Sequence, residues 1–340
     1  MTQRQLQWGV LGTGAIAHDF ATALRDSQRC RAVHVTSASG RAAGFASEFG
    51  IARASESLDQ LLGDAQVQAV YIASPHPLHE QQALAAIAAG KHVLVEKPMA
   101  TSAVGAERII AAARAYRVFA MEAYMYRCHP LITEVIGRVR TGAIGQLRHV
   151  RATFGFRAPR DPASRLFAPE LGGGGILDVG GYPVSLVRLL AGVAMGKPYA
   201  EPTELSALGQ IGPTGVDELA QASLRFDAGV TAEVACAVHY ELGTNVTLFG
   251  DEGRLRIDDP WLPGGKRHGR ESHFIVERDG DSPQTVTVGI PRAIYALEAE
   301  LVADSLPALE PLWPAMTWAD SIANLRVLDR WRSALGLPAL

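Results

Sequence analysis

A chain of 340 residues that is 48% hydrophobic is long enough for two domains and apolar enough to give each a core. Its 32 basic and 35 acidic side chains leave a net charge of -3, so there is no basic field to draw nucleic acid or an anionic membrane. Three distant cysteines (Cys30, Cys128, Cys236) without a C-x-x-C pair, an N-terminus without a signal-like apolar core, and no apolar run approaching a membrane span set a reduced, cytoplasmic protein without structural zinc as the expectation.

The first half alternates strand and helix. An apolar strand at residues 7–11 runs into Gly12-Thr13-Gly14-Ala15-Ile16-Ala17, a G-x-G-x-x-A pattern, and a helix is expected over 15–26. Gly12 permits a tight turn, Gly14 lets a pyrophosphate approach the backbone, and small Ala17 lets helix and strand pack closely. The helix N-terminus then offers N–H groups and a positive dipole end to phosphate. A second strand is expected at 32–37 and a helix at 41–49 before Gly50, then a short helix at 58–62. Residues 69–73, Ala-Val-Tyr-Ile-Ala, form a continuous apolar run that fits a buried parallel strand. An alanine-rich helix at 79–89 stops at Gly90, and a strand at 92–95, a helix at 103–116 and a strand at 118–120 follow. This order predicts an α/β fold whose N-terminal part is a doubly wound, Rossmann-type parallel sheet.

The pattern changes after about residue 125. A helix is expected at 131–141, an alternating strand at 147–156 and a helix at 175–190, with Ile176, Val179, Val184, Val187 and Leu190 on its apolar spacing. Alternating runs at 204–210, 221–226, 230–238, 244–250, 253–258 and 273–277 succeed one another without helices between them. They predict a C-terminal α+β domain with a large, mostly antiparallel open sheet. Residues 260–269 read as a Pro/Gly-rich loop, and helices at 293–305 and 317–334 close the chain. The expected division is a dinucleotide-binding domain at 1–125 and a substrate-binding and oligomerisation domain at 126–340.

Two segments add chemistry to the fingerprint. Glu96-Lys97-Pro98 ends a parallel strand, where ligands of open α/β sheets bind, although the same Lys suits a solvated turn. Pro98 fixes the backbone there, a place where a cis bond occurs. Further on, Gly172, Gly173, Gly174 and Gly175 lead into a helix with Asp178 and Tyr182 four apart on one face. A phenol and a carboxylate facing a lysine suit alcohol–carbonyl interconversion, and a nearby ammonium lowers a phenol pKa from its usual value of about 10. A buried Asp capping a turn and a Tyr filling a core would leave the same sequence. Phe154, Phe156, Trp261 and Arg165 are candidates to border a sugar-sized pocket, the aromatics being more often core. His129, His239, His268 and His273 show no metal-ligand spacing, so no metal is expected.

Over nearly its whole length the chain resembles the Gfo/Idh/MocA family of NAD(P)-dependent oxidoreductases. The residues that carry the likeness are Gly12 to Ala17, Ser74-Pro75-His76-Pro77-Leu78-His79, Ala89 to Pro98 with its Glu-Lys-Pro element, and Gly173 to Pro183. Met121-Glu122-Ala123-Tyr124-Met125-Tyr126-Arg127, and a Tyr at 182 where many branches have His, are similar to the branch holding dimeric dihydrodiol dehydrogenase, xylose dehydrogenase and glucose–fructose oxidoreductase.

The resemblance implies that Lys97 hydrogen-bonds the reacting hydroxyl, Tyr182 is the general acid/base and Asp178 positions substrate or tunes Tyr182. Ser74, Pro75 and His79 would line the cofactor crevice, with Glu96 beside Lys97. By its place just after the domain junction, Arg127 is a further candidate to touch nicotinamide or substrate. His76 stands where the family usually has Asn, and Gly181 where a small residue, often Cys, precedes the Tyr. At the end of the second strand no Asp or Glu follows His34, whereas Ser37, Ser39 and Arg41 suit a 2′-phosphate, so NADP is expected over NAD. The expected reaction passes a hydride between nicotinamide and a hydroxyl-bearing carbon of a sugar, polyol or cyclic diol, in a homodimer or higher homo-oligomer without nucleic-acid or membrane partners. A dinucleotide-binding sensor without turnover, and an oxidoreductase with a tightly retained cofactor, are the alternatives.

Overall fold

The computed structural model describes residues 5–340 and divides into two compact units. In the first, β1 (Leu6–Leu11), α1 (Ala15–Leu24), β2 (Cys30–Thr36), α2 (Ala42–Phe49), β3 (Arg53–Ser55), α3 (Leu58–Leu62), β4 (Ala69–Ile72), α4 (His79–Ala88), β5 (His92–Glu96), α5 (Ala103–Tyr116) and β6 (Ala120–Ala123) follow in order. The six strands pair in parallel as β3-β2-β1-β4-β5-β6. All of β4 is buried, which is why it reads as an unbroken apolar run. The strand order reverses between β1 and β4, and there the chain leaves the sheet at Gly12 and Ala73. Such a switch point opens a crevice at the carboxyl ends of the strands.

The second unit holds α6 (Pro130–Arg140), β7 (Leu147–Arg157), a π-turn (Ile176–Gly180) that runs into α7 (Gly181–Ala194), and eight further strands. These are β8 (Glu204–Ile211), β9 (Asp217–Arg225), β10 (Thr231–Ala237), β11 (His239–Gly243), β12 (Val246–Gly250), β13 (Gly253–Ile257), β14 (Glu271–Arg278) and β15 (Gln284–Gly289). They form a sheet in the order β15-β14-β13-β12-β7-β10-β9-β8, with β11 also beside β7. Within this second sheet, among the described strands, only the β7–β10 pair is parallel. The alternating runs thus form the expected mostly antiparallel sheet.

The structure corrects the sequence reading at several points. The helix expected over 175–190 is interrupted by the π-turn and extends to Ala194. The helical stretch Pro169–Ala194 is long and apolar enough to cross a membrane, which the sequence reading did not recognise. Its apolar window lies entirely inside the protein, so it is a core helix. Strands β3, β11 and β15 were not expected; β3 is three residues without alternation, and β15 is mostly exposed and polar. Strand β6 lies later than 118–120 because pairing with β5 runs from Val93–Ala120 to Glu96–Ala123.

The division at 126–340 also changes. After α8 (Ile294–Ser305), the chain ends in α9 (Trp318–Ala334), and Pro291–Ser321 belongs to the first unit. The cause is visible in α8, which is buried on most of its surface. Glu300 accepts a hydrogen bond from Ser27 Oγ at 2.7 Å, and the Cys30 thiol donates to Ala299 O at 3.4 Å. A helix buried nearly all round shows weak amphipathic periodicity, so its sequence does not say which sheet it covers.

Candidate active site

The first unit carries a phosphate cradle. Gly12 has φ +114°, and a Cβ there would fall 2.7 Å from Ala73 O, so only glycine fits the turn. A Cβ on Gly14 would meet no heavy atom within 4 Å, which leaves the backbone open to a ligand. Gly14 is also the N-cap of α1 and gives its first turn no side-chain cap. Ala17 is fully buried against the sheet, as the fingerprint requires. Ala15 and Ile16 begin α1, where backbone N–H groups and the dipole favour an anion. These features fit a dinucleotide pyrophosphate.

At the carboxyl end of β2 a short hydroxyl chain is assembled. Thr13 Oγ1 donates to Ser37 Oγ at 3.2 Å, Ser37 and Ser39 hydroxyls lie 2.8 Å apart, and Arg41 Nε donates to Ser39 Oγ at 3.0 Å. Ser37 is buried, whereas Ser39 and Arg41 are exposed. One acid escaped the sequence reading. A Cβ on Gly40 would lie 3.9 Å from Glu56 Oε1, a carboxylate delivered from beyond β3 rather than from the β2 end where sequence motifs look for it.

Beyond β4, Ser74 Oγ donates to Gln82 Oε1 at 2.5 Å, and His76 follows Pro75 with its ring 5.7 Å from that of His79. His79 turns into the protein. It is fully buried, with Nδ1 2.8 Å from Pro98 O and Nε2 2.8 Å from Ser74 O. Burial, with the Lys97 charge adding to it, pushes its pKa down. His79 therefore ties the β4 loop to the β5 loop.

Glu96, at the end of β5, is turned inward. It accepts the Tyr71 hydroxyl at 2.5 Å and the Lys97 backbone N–H at 3.2 Å. Lys97 is half-buried, and the Lys97–Pro98 bond is cis. The Arg127 side chain is fully buried and paired with Asp320 at 2.8 Å, with Nε donating to Pro314 O at 2.6 Å. A guanidinium held by a buried carboxylate anchors the chain inside the unit.

In the second unit, Asp178 lies in the π-turn and Tyr182 in the first turn of α7. A π-turn adds a residue to the helical turn, so the four-residue spacing is not the α-helical face that the sequence suggested. Asp178 is buried and pairs with Arg165 at 2.8 Å. The Tyr182 ring meets Phe154 edge-on at 5.2 Å and Trp261 at 5.7 Å, and those two rings stack at 5.9 Å. Trp261 Nε1 donates to Thr153 O at 3.0 Å, which fixes the wall. Phe156 packs instead on Phe167, Val216 and Val238. Lys97 belongs to the first unit and the Asp178–Tyr182 segment to the second. Among the described residues, no three His, Cys, Asp or Glu side chains are grouped to hold a metal ion.

The Gly-rich entry to the π-turn explains its own composition. Gly174 has φ +106°, and a Cβ there would fall 2.3 Å from Asp217 Oδ1. Gly174→Ala is expected to cost ~2–5 kcal/mol from backbone strain and overpacking together. Denaturant unfolding checks it, and a loss under about 0.5 kcal/mol, the usual scale of a surface change, would contradict the placement.

Comparison with known proteins extends these observations. Residues 6–124 match the oxidoreductase family with an NAD-binding Rossmann fold, and residues 132–256 match the GFO/IDH/MocA C-terminal domain. The chain is 34% identical to trans-1,2-dihydrobenzene-1,2-diol dehydrogenase of Sus scrofa over 337 residues, 98% of this chain and 97% of that one. It is 35% identical to the Mus musculus protein of the same name over 261 residues, 76% of each chain. Among solved structures it resembles a 3-ketoreductase from Actinomadura kijaniata in complex with NADP and TDP-benzene, with TM-score 0.85, 26% identity and 98% of both chains covered. It also resembles an aldose-aldose oxidoreductase from Caulobacter crescentus complexed with glycerol, with TM-score 0.85, 25% identity and 97% of both chains covered.

Proposed function

This chain belongs to the Gfo/Idh/MocA family and is an NAD(P)-dependent oxidoreductase, and from that premise we propose that it prefers NADP and acts on a sugar, polyol or cyclic diol. One observation carries the substrate class: Tyr182 stands against an aromatic wall of Phe154 and Trp261. Aromatic faces suit the apolar C–H surface of a ring, while the phenol reaches a hydroxyl. The relatives named for a dihydrodiol, a 3-keto group and an aldose support the same class.

In this reading Tyr182 exchanges the proton of the reacting hydroxyl, and Lys97 polarises that hydroxyl and stabilises the developing alkoxide. The bound nicotinamide supplies or accepts the hydride. Asp178, held by Arg165, orients the substrate. Gly12 and Gly14 seat the pyrophosphate, while Ser74, Pro75 and His76 border the nucleotide. A screen at 340 nm with NADP or NAD and a panel of aldoses, inositols and cyclic diols tests the reading. Turnover is expected with at least one of them, and NADPH binding with silence across the panel would favour a sensor.

The cofactor preference rests on Ser37, Ser39 and Arg41. Arg41→Ala is expected to raise KM for NADP about tenfold, ~1.4 kcal/mol, and to leave KM for NAD nearly unchanged. Equal changes for both cofactors would remove Arg41 from 2′-phosphate recognition. A cytoplasmic location fits the free thiols of Cys30, Cys128 and Cys236, and fractionation of cells tests it. Self-association fits the 70% exposed Leu208 and 45% exposed Ile211 on edge strand β8, and a monomeric mass by light scattering would oppose it.

A further inference from the structure

We propose that Asp217, from the start of β9, is a positioning residue for Tyr182: it holds the N-terminal end of the helical segment that carries the phenol. The proposal rests on Tyr182 being the acid/base. Asp217 is fully buried, and its Oδ2 accepts the Ile176 backbone N–H at 2.7 Å, at the first residue of the π-turn. The Gly175 N-cap supplies no side-chain cap, so a carboxylate from a strand 41 residues away takes that place. It sits where the helix dipole favours negative charge.

The backbone around it is cut to fit. The space for a Gly174 side chain is taken by Asp217 Oδ1, which is buried without a hydrogen-bond partner. A Cβ on Gly175 would lie 3.3 Å from Cys236 Sγ and 3.4 Å from Asp217 Oδ2, and one on Gly180 would lie 3.2 Å from both Cys236 Sγ and Trp331. The glycines before and after Asp178 thus let the π-turn lie against Asp217 on β9 and Cys236 on β10. Such turns recur at functional sites, where the extra residue re-aims a side chain.

The same carboxyl titrates in the working range. Burial pushes its pKa up to about 7, against the Ile176 N–H and the Arg332 charge, which favour the ionised form. The charged or titratable groups facing it are Arg332 from α9, with Asp329 beside that guanidinium, and Cys236 from β10, which also feels Asp178. Above pH 7 Asp217 is a carboxylate and caps the turn with full charge; below it, the cap is neutral. A proton held by the fold up to about pH 7 is released by the unfolded chain near 3.8. The group therefore lowers stability as pH rises between those values.

Asp217→Asn tests the proposal, with Asp217→Glu as the conservative variant and circular dichroism to show that each folds. Asn keeps an acceptor for Ile176 N–H but removes the charge. The expected result is a kcat 10–100-fold lower with KM within about threefold, loss of the limb near pH 7 from the kcat profile, and partial rescue by Glu. A folded Asn variant with unchanged kcat and pH profile would overturn it. The absorbance of tyrosinate at 295 nm, taken as wild type minus Tyr182→Phe, gives a readout without turnover. The Tyr182 midpoint is expected to move when the same difference is taken in the Asn background, and an unmoved midpoint opposes the proposal. If Tyr182→Phe keeps wild-type turnover, the acid/base reading fails separately, and the 295 nm titration still decides whether Asp217 governs Tyr182. If neither variant folds, melting of Gly174→Ser against Gly172→Ser replaces them. Equal losses would show that contact with Asp217 sets nothing at Gly174, and would overturn the proposal.

Discussion

Tyr182→Phe is expected to lower kcat by about 10²–10⁴-fold while KM changes little. The expectation follows from what the substitution keeps. The phenyl ring preserves the edge contacts to Phe154 and Trp261 and fills the same space beside them, so the wall is unaltered. Only the hydroxyl is lost. A positioned acid/base is worth about 10²–10⁴ in rate, ~3–5 kcal/mol of barrier. An effect confined to the transition state lowers kcat and kcat/KM together. Steady-state kinetics check it. A variant that keeps kcat and raises KM would place the hydroxyl in substrate binding instead.

Lys97→Ala should be the second large loss, about 10²–10³-fold in kcat. The ammonium is the only basic side chain in Glu96-Lys97-Pro98, and Ala removes it while leaving the backbone atoms in place. A preorganised donor aimed at developing negative charge contributes on the order of 3–4 kcal/mol. Lys97→Arg is not expected to rescue, because a planar guanidinium replaces a compact point charge. Binding of NADPH, followed by fluorescence, should survive Lys97→Ala because the Gly12–Gly14 cradle is untouched. Loss of binding with loss of turnover would make Lys97 a cofactor anchor.

Much of the first unit is legible in the sequence because its signals are local. Gly12 and Gly14 sit between a strand and a helix, and the β4 strand is buried on both sides, so its apolar run carries no competing period. The sites where reading stopped are those fixed at long range. His79 and Arg127 lie inside motifs that suggest ligand contact, and those motifs do not announce the partners that hold the two side chains: Pro98 O, Pro314 O and Asp320. Asp217 lacks any local mark, since its partner Ile176 is 41 residues away. The glycines before Ile176 announce a close approach without saying to what. The π-turn is likewise invisible to a 3.6-residue period, which carries Asp178 and Tyr182 on one face by assumption.

Deuterium transfer tests the central claim most directly. A substrate found in the 340 nm screen, deuterated at the carbon that bears the reacting hydroxyl, is incubated with enzyme and NADP, and the recovered NADPH is weighed by mass spectrometry. The account predicts a gain of one mass unit in the nicotinamide, at a rate that Tyr182→Phe slows with kcat. Reduced cofactor without label, or label formed at the wild-type rate by Tyr182→Phe, would contradict it.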